Sequence, residues 1–377
     1  MRSVRNIPHL ENAPVLVRAA LNVPIADGKV ANTFRLRQAL PTIEYLQKKH
    51  ARVILIGHIG DKGTETLLPV AQALREFIPR LSFCPYTTGA QARAAVRALV
   101  PGEVLMLENL RRHAGEKAND PEFVADLAEL ADVFVQDSFD VCHRKHASVI
   151  GVPELLPSYA GLLLETEVKE LKKALTPKRP SLAVIGGAKF STKEPVIKTL
   201  LERYDRVFVG GALSNDFLRA KGYPLEASLV SETDHDAIKK LLTHPRLVIP
   251  SDEIYAVPGA PVSESKEGML DGKAPFEAVL DNGPRTLAQL ESMVQSAKTI
   301  LWNGPLGNYE RGYVAGTERL AKAIAKSGAY SILGGGDTIA AVEKLGLSGR
   351  FSFISTGGGA MLDFIATGTL PGIDALS

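Results

Sequence analysis

Short runs of β-branched and aliphatic residues recur along the whole chain, and amphipathic stretches separate them. In the first half the runs are Val15–Val17, Val53–Ile56, Val104–Leu107 and Val133–Val135. In the second they are Leu182–Ile185, Val207–Val209, Leu247–Ile249, Thr299–Trp302, Ser331–Leu333 and Phe351–Ile354. Runs this short and this apolar read as strands buried on both faces. The stretches between them, such as Glu122–Ala131, Glu194–Glu202, Leu287–Ala297 and Gly316–Lys326, carry the helical period. This alternation confines the chain to parallel sheets covered by helices, because a parallel strand is reached through a crossover. At 377 residues the chain exceeds one ordinary core, so two α/β domains are expected.

The joint between them falls near residues 150–180. Gly151, Pro153, Pro157 and Gly161 punctuate the chain there, and a charged helix of roughly Glu165–Leu175 follows. Pro177 and Pro180 cannot continue that helix. Two readings stand for it: a lever between two lobes, or an ordinary surface helix.

Composition excludes more than it assigns. The net charge is +2, so nothing draws the whole chain toward nucleic acid or a membrane surface, and any anion site is local. Two cysteines, Cys84 and Cys142, lack CxxC spacing, which supports neither a disulfide framework nor zinc. Reduced thiols and a cytoplasmic location are expected. The start, MRSVRNIPHLENAPV, does not read as a secretory signal. No window approaches the roughly 18 apolar residues that a membrane span needs.

Parallel α/β sheets collect ligands at the C-terminal ends of their strands. In the second half, glycine follows strand after strand: GGAKFSTK after Ile185, GGALSNDF after Val209, NGPLGNYE after Trp302, GGGDT after Leu333 and STGGGA after Ile354. Glycine lets backbone approach a ligand, and a following helix turns its free N–H groups toward phosphate. Any one such loop is also an ordinary turn, but five along one sheet edge point to a ligand. None is GxxxxGK or GxGxxG, so neither a Walker ATPase nor a dinucleotide fingerprint is present. Asp337 and Thr338 sit where helix-capping residues sit, so Asp337 is either a cap or a hard oxygen ligand for Mg²⁺ on nucleotide phosphates. Lys189 and Lys193 share a face if a helix starts there, which suits a transferring phosphoryl group. Solvated surface lysines are the plain alternative.

In the first half the strands end in basic residues instead. Arg18 follows Val17, with Asn22 just beyond, and His58 follows Ile56 and Gly57. Arg111 lies in ENLRR, while His143, Arg144 and His146 follow Val135, and Arg35 lies in NTFRLR. Converging guanidinium groups match a small phosphorylated carboxylate bidentately. Singly, each of these arginines reads as a surface ion-pair partner and each histidine as a core residue. One half thus looks built for a nucleotide and the other for a small anion.

The residues also carry a family resemblance. RAALNVP, PTIEYL, GHIG, ENLRRH, DSFDVCHRKHAS, GGAKFSTK, AKTILWNGPLG, SILGGGDT, ISTGGGA and LPGIDAL are similar, in order, to the blocks of the phosphoglycerate kinase family. The resemblance covers nearly the whole chain. It implies an α/β fold of two Rossmann-like domains, each a parallel sheet flanked by helices, joined by a hinge helix. The corresponding boundaries are an acid-substrate domain at 1–160, an interdomain helix at 161–176, a nucleotide domain at 177–356, and a tail at 357–377 returning to the first domain. It implies reversible transfer between 1,3-bisphosphoglycerate and ADP, giving 3-phosphoglycerate and ATP, with Mg²⁺, in a monomer whose partners are small molecules.

Carried over residue by residue, Arg18, Asn22, Arg35, His58, Arg111 and Arg144 would bind the acid. Arg35 and Lys189 would neutralise the moving phosphoryl group, Lys193 would hold nucleotide phosphate, and Asp337 would carry the magnesium. Gly187, Gly210, Gly211, Asn303, Glu310, Gly335, Gly336 and Thr338 would shape the nucleotide pocket. Gly357–Gly359, with Gly358 at the centre, would serve the phosphoryl path.

Several positions depart from the family pattern. Ala20 stands where RxDxN has aspartate, and Asp61 where SHLGR has arginine. Gln136 and Asp140 replace the first asparagine and the glycine of NDAFGTAHR, and Val279 replaces the glycine of GLDxGP. Most of these lie in the acid-binding half. Two further readings therefore accompany phosphoglycerate kinase itself: a paralogue acting on a different small carboxylic acid, and a non-catalytic nucleotide-binding relative.

Overall fold

The computed structural model describes residues 1–231 and 235–376. The chain divides into two units: Met1–Lys169 with the chain from Thr369 on, and Glu170–Gly368.

The first unit is built on a six-stranded, fully parallel sheet. Its strands lie in the order Leu81–Cys84, Val104–Leu107, Arg52–Ile56, Pro14–Ala19, Val133–Asp137, Ser158–Ala160. Successive side chains of a strand point to opposite faces. Val15, Val17, Val53 and Leu55 pack with Leu36, Ile43 and Leu46 of the helix Phe34–Lys48. Leu16, Ile54, Ile56 and Leu105 pack on the other side with Phe123 and Leu127 of the helix Pro121–Ala128. Both faces are therefore core, which is why these strands read as unbroken apolar runs. The edge strands Leu81–Cys84 and Ser158–Ala160 escape that signal, because LSFC and SYA mix polar and apolar residues.

The second unit repeats the plan. Its parallel strands lie in the order Leu247–Val248, Arg206–Val209, Ser181–Ile185, Thr299–Asn303, Tyr330–Gly334, Phe353–Ile354. The order reverses between Ser181–Ile185 and Thr299–Asn303, and such switch points open a crevice at the strand ends. The two edge strands are shorter than the apolar runs that announce them. A small antiparallel sheet, ordered Lys266–Gly268, Glu253–Ala256, Ala278–Asn282, is added beside it.

The helix Leu162–Leu175 runs across the boundary between the units. It begins before Glu165 because its first turn is satisfied by side chains. Leu162 N donates to Thr42 Oγ1 at 2.8 Å, while Leu163 N and Leu164 N donate to Asp137 Oδ1 at 2.9 and 3.2 Å. Gly161 cannot carry a side chain there, since a Cβ would sit 2.1 Å from Asp137 Oδ1.

Candidate active site

In the second unit the switch point brings two strand ends together through glycine. Gly186 N donates to Asn303 O at 2.8 Å, and a Cβ on Gly186 would meet Pro305 O at 2.2 Å. Gly304 N donates in turn to Thr338 Oγ1 at 3.1 Å. Asn303 sits at the centre: its Nδ2 donates to Gly358 O at 3.2 Å, and its Oδ1 accepts from Lys193 Nζ at 3.5 Å. Lys193 is the last residue before the helix Glu194–Arg203. Burial holds its ammonium down to a pKa of about 8, with Asp363 pulling the other way. A cation that has lost water in this way is ready to receive an anion.

Lys189 behaves differently from the sequence expectation. The helix starts at Glu194, so the two lysines do not share a helical face, and Lys189 is exposed in the preceding turn. Asp337 is not a cap either. Gly335 occupies the cap position of the helix Gly336–Lys344, no side chain caps that end, and Asp337 is exposed. Thr338 is buried and spent on Gly304. Gly358 opens the helix Gly358–Thr367, with Gly335 packed against its Cα.

A cavity of about 900 Å³ lies against these loops, lined among others by Gly187, Gly211, Val279, Leu306, Glu310 and Asp337. Gly210 supports it from behind, packed against Leu306 and Asn282. Val279 is thus a wall residue, anchored by its N–H to Ser228 Oγ at 3.0 Å. Sequence reasoning missed the buried pair Glu253 and Asn282, which also lines the cavity and is joined by a 2.8 Å hydrogen bond from Asn282 Nδ2 to Glu253 Oε2. Burial pushes the Glu253 carboxyl well above its usual range. The available signal was faint, polar side chains at the ends of two strands, EIYA and AVLDN.

In the first unit the basic residues at the strand ends converge. Arg18 is fully buried. Its Nε donates to Ser148 Oγ at 2.9 Å, its Nη1 to Ala19 O at 2.9 Å, and its Nη2 meets His58 Nδ1 at 2.9 Å. A guanidinium only donates, so Nδ1 must accept and the ring proton must sit on Nε2. Burial, then Arg18, hold His58 well below its ordinary pKa, and Arg111, His146 and Arg35 add to the effect. His58 is therefore a neutral N–H donor at neutral pH. Ser148 passes the network to a buried counter-ion, donating from Oγ to Glu116 Oε1 at 2.6 Å and from its N–H to Glu116 Oε2 at 3.0 Å. Glu116 and Ser148 were not singled out in the sequence. Arg18 thus fixes the His58 ring through its Nδ1.

The remaining cations surround this pair. Arg35 Nη1 donates to Asn22 O at 2.6 Å, and Asn22 Oδ1 accepts from Gly60 N at 3.1 Å. Arg111 Nη1 donates to Gly60 O and to Asp61 Oδ1, both at 2.6 Å. Burial lowers His146 to about 4, followed by Arg111, Arg18 and Arg144. Arg144 itself is exposed. Of the departures from the family pattern, Ala20 is fully buried, Asp140 accepts from Ser138 Oγ at 2.5 Å, and Gln136 Oε1 accepts from Ser138 N at 3.2 Å.

Among the described residues no helix is long and apolar enough to cross a membrane. A family model described as phosphoglycerate kinase matches residues 4–368. The phosphoglycerate kinase of Thermus thermophilus is 43% identical over 381 residues, covering 96% of each chain. That of Moorella thermoacetica is 42% identical over 384 residues, covering 98% of this chain and 97% of its own. Among solved structures, phosphoglycerate kinase from Coxiella burnetii superposes with a TM-score of 0.83 at 37% identity, over 99% of this chain and 98% of that one. The Pyrococcus horikoshii enzyme does so with a TM-score of 0.86 at 32% identity, over 100% and 98%. With a matching model across nearly its full length and relatives above 40% identity, the chain belongs to the phosphoglycerate kinase family.

Proposed function

We propose that the chain catalyses reversible phosphoryl transfer between 1,3-bisphosphoglycerate and ADP, giving 3-phosphoglycerate and ATP. The observation that supports this best, beside family membership, is Lys193: a partly desolvated ammonium held at a sheet switch point beside Asn303. Phosphoryl transfer spreads negative charge over the moving group and calls for positioned cations rather than a protein nucleophile. Lys193 would hold nucleotide phosphate, Lys189 and Arg35 would neutralise the group in flight, and the amide end of the helix at Gly358 would add N–H donors. The cavity lined by Gly187, Gly211 and Glu310 would take the nucleoside, with Gly210, Gly335, Gly336 and Thr338 shaping the loops around it.

On the acid side, His58 Nε2–H, Asn22, Arg35, Arg111 and Arg144 would hold the phosphoglycerate, with Arg18 fixing the histidine tautomer. Asp337 suits a magnesium ion bound mainly by phosphates and water, because it is an exposed carboxylate lining the nucleotide cavity and is not spent on capping its helix. That ion would neutralise phosphate charge. A cytoplasmic, monomeric enzyme of glycolysis and gluconeogenesis is the setting this reading implies.

The test is a coupled assay with 3-phosphoglycerate and Mg-ATP. ADP formation that depends on the acid supports the proposal. Nucleotide binding without acid-dependent turnover would sink it and favour a different carboxylic acid.

A further inference from the structure

We propose that Asp61 determines the charge that the acid site accepts, its carboxylate occupying Arg111 as an internal competitor for the substrate anion. An anionic group that reaches Arg111 is then held more weakly than an unpaired Arg111 would hold it. This rests on the reading of Arg111 as an acid-binding residue.

The loop leaves Asp61 little freedom to move away. Just before it, Gly60 N donates to Asn22 Oδ1 at 3.1 Å, and Ile59 is clamped from both sides by the Asn109 amide. Beyond it, Asn109 Nδ2 also donates to Glu65 O at 2.9 Å. Lys117 Nζ donates to Asp61 O itself at 2.5 Å. Backbone on both sides is thus pinned to the core of the unit, and the carboxylate is presented to Arg111 at a high effective concentration. The Arg111 side chain is only 8% exposed, whereas the Asp61 side chain is 93% exposed. A buried cation is therefore met by a carboxylate that water still reaches, an arrangement an incoming anion can displace at a cost. Arg111 also keeps a buried Nε without a hydrogen-bond partner, so the guanidinium is not saturated by the pairing. Relative to an arginine at the same position, Asp61 changes the local charge by two units, and like charges at this range oppose a dianion.

The experiment is equilibrium binding of 3-phosphoglycerate by calorimetry to the full chain, to Asp61→Asn and to Asp61→Lys, in the parent and in an Arg111→Ala background. Binding tightens about 3–10-fold in Asp61→Asn and further in Asp61→Lys, the gain shrinks at high salt, and the Asp61→Asn gain is smaller without Arg111. Affinity for Mg-ATP stays unchanged. An Asp61→Asn affinity equal to the parent's, or an equal gain without Arg111, overturns the proposal. Because binding is read directly, this outcome is separate from the turnover assay, whose failure would strike the activity and leave the competitor to be judged on its own.

Discussion

Lys193 carries a pKa of about 8 because its ammonium is buried, and that value makes a binding prediction with a definite sign. A phosphate brought beside it favours the charged form, so the pKa rises on binding. Near pH 8 the parent should therefore take up protons when Mg-ADP binds. Titration in buffers of different ionisation enthalpy reads this directly, and Lys193→Met should abolish the uptake. The same variant should lower turnover by at least about 100-fold with an unchanged melting temperature, since a donor aimed at developing charge contributes this much. Full activity in the variant would remove Lys193 from the mechanism. At this scale the sequence picked out the basic residues at the strand ends, and the structure shows which partners each one holds. Arg18 reads as a ligand-binding guanidinium; the structure shows it fully buried and bonded to His58 and Ser148, and Ser148 is 130 positions on. Nothing local in a sequence couples such positions.

The helix Leu162–Leu175 shows what decides an element. Its amphipathic pattern is legible, but its first turn depends on Thr42 and Asp137, which come from elsewhere in the fold. Burial raises the Asp137 carboxyl from its ordinary 3.8 to about 7. Between these values the folded protein holds a proton that the unfolded chain has released, so this group's contribution to stability falls as pH rises from about 4 to 7. Asp137→Asn keeps an oxygen for the two helix N–H groups and removes the titration. Its melting temperature relative to the parent should climb between pH 5 and 7 and level off above that; a flat difference across pH 5 to 7 would show that Asp137 does not titrate there. Asp137→Ala also removes the titration but leaves the helix end uncapped, so it should lie about 0.5–2 kcal/mol below Asp137→Asn at every pH. The edge strand Leu81–Cys84 shows the complementary case: with one flank unpaired and Ser82 exposed, it needs fewer apolar residues, so its pattern fades.

For the whole molecule, the chain's last segment joins the unit in which the chain began. Leu370, Ile373 and Leu376 are buried there, and Gly372 N donates to Cys142 O at 2.8 Å. Ending the chain before Thr369 should therefore cost the first unit on the order of 4–8 kcal/mol, an upper estimate from apolar burial. Calorimetry should show a large fall in one melting transition, with ADP binding by the second unit retained; an unchanged thermogram would mean the segment does not stabilise the unit. The sequence by itself determined the class of architecture, because apolar runs and helical periods are local properties that each strand and helix must satisfy alone. It also placed the glycines and arginines just after the strands, at the sheet ends where parallel α/β folds collect ligands. Only the tertiary structure decided which of those groups are spent on one another. Arg111 against Asp61, Arg18 against His58 and Ser148, and Thr338 against Gly304 are pairings across sequence distance. Hydrogen bonds and ion pairs depend on separation in space, and the sheet order that sets that separation is written in no single segment.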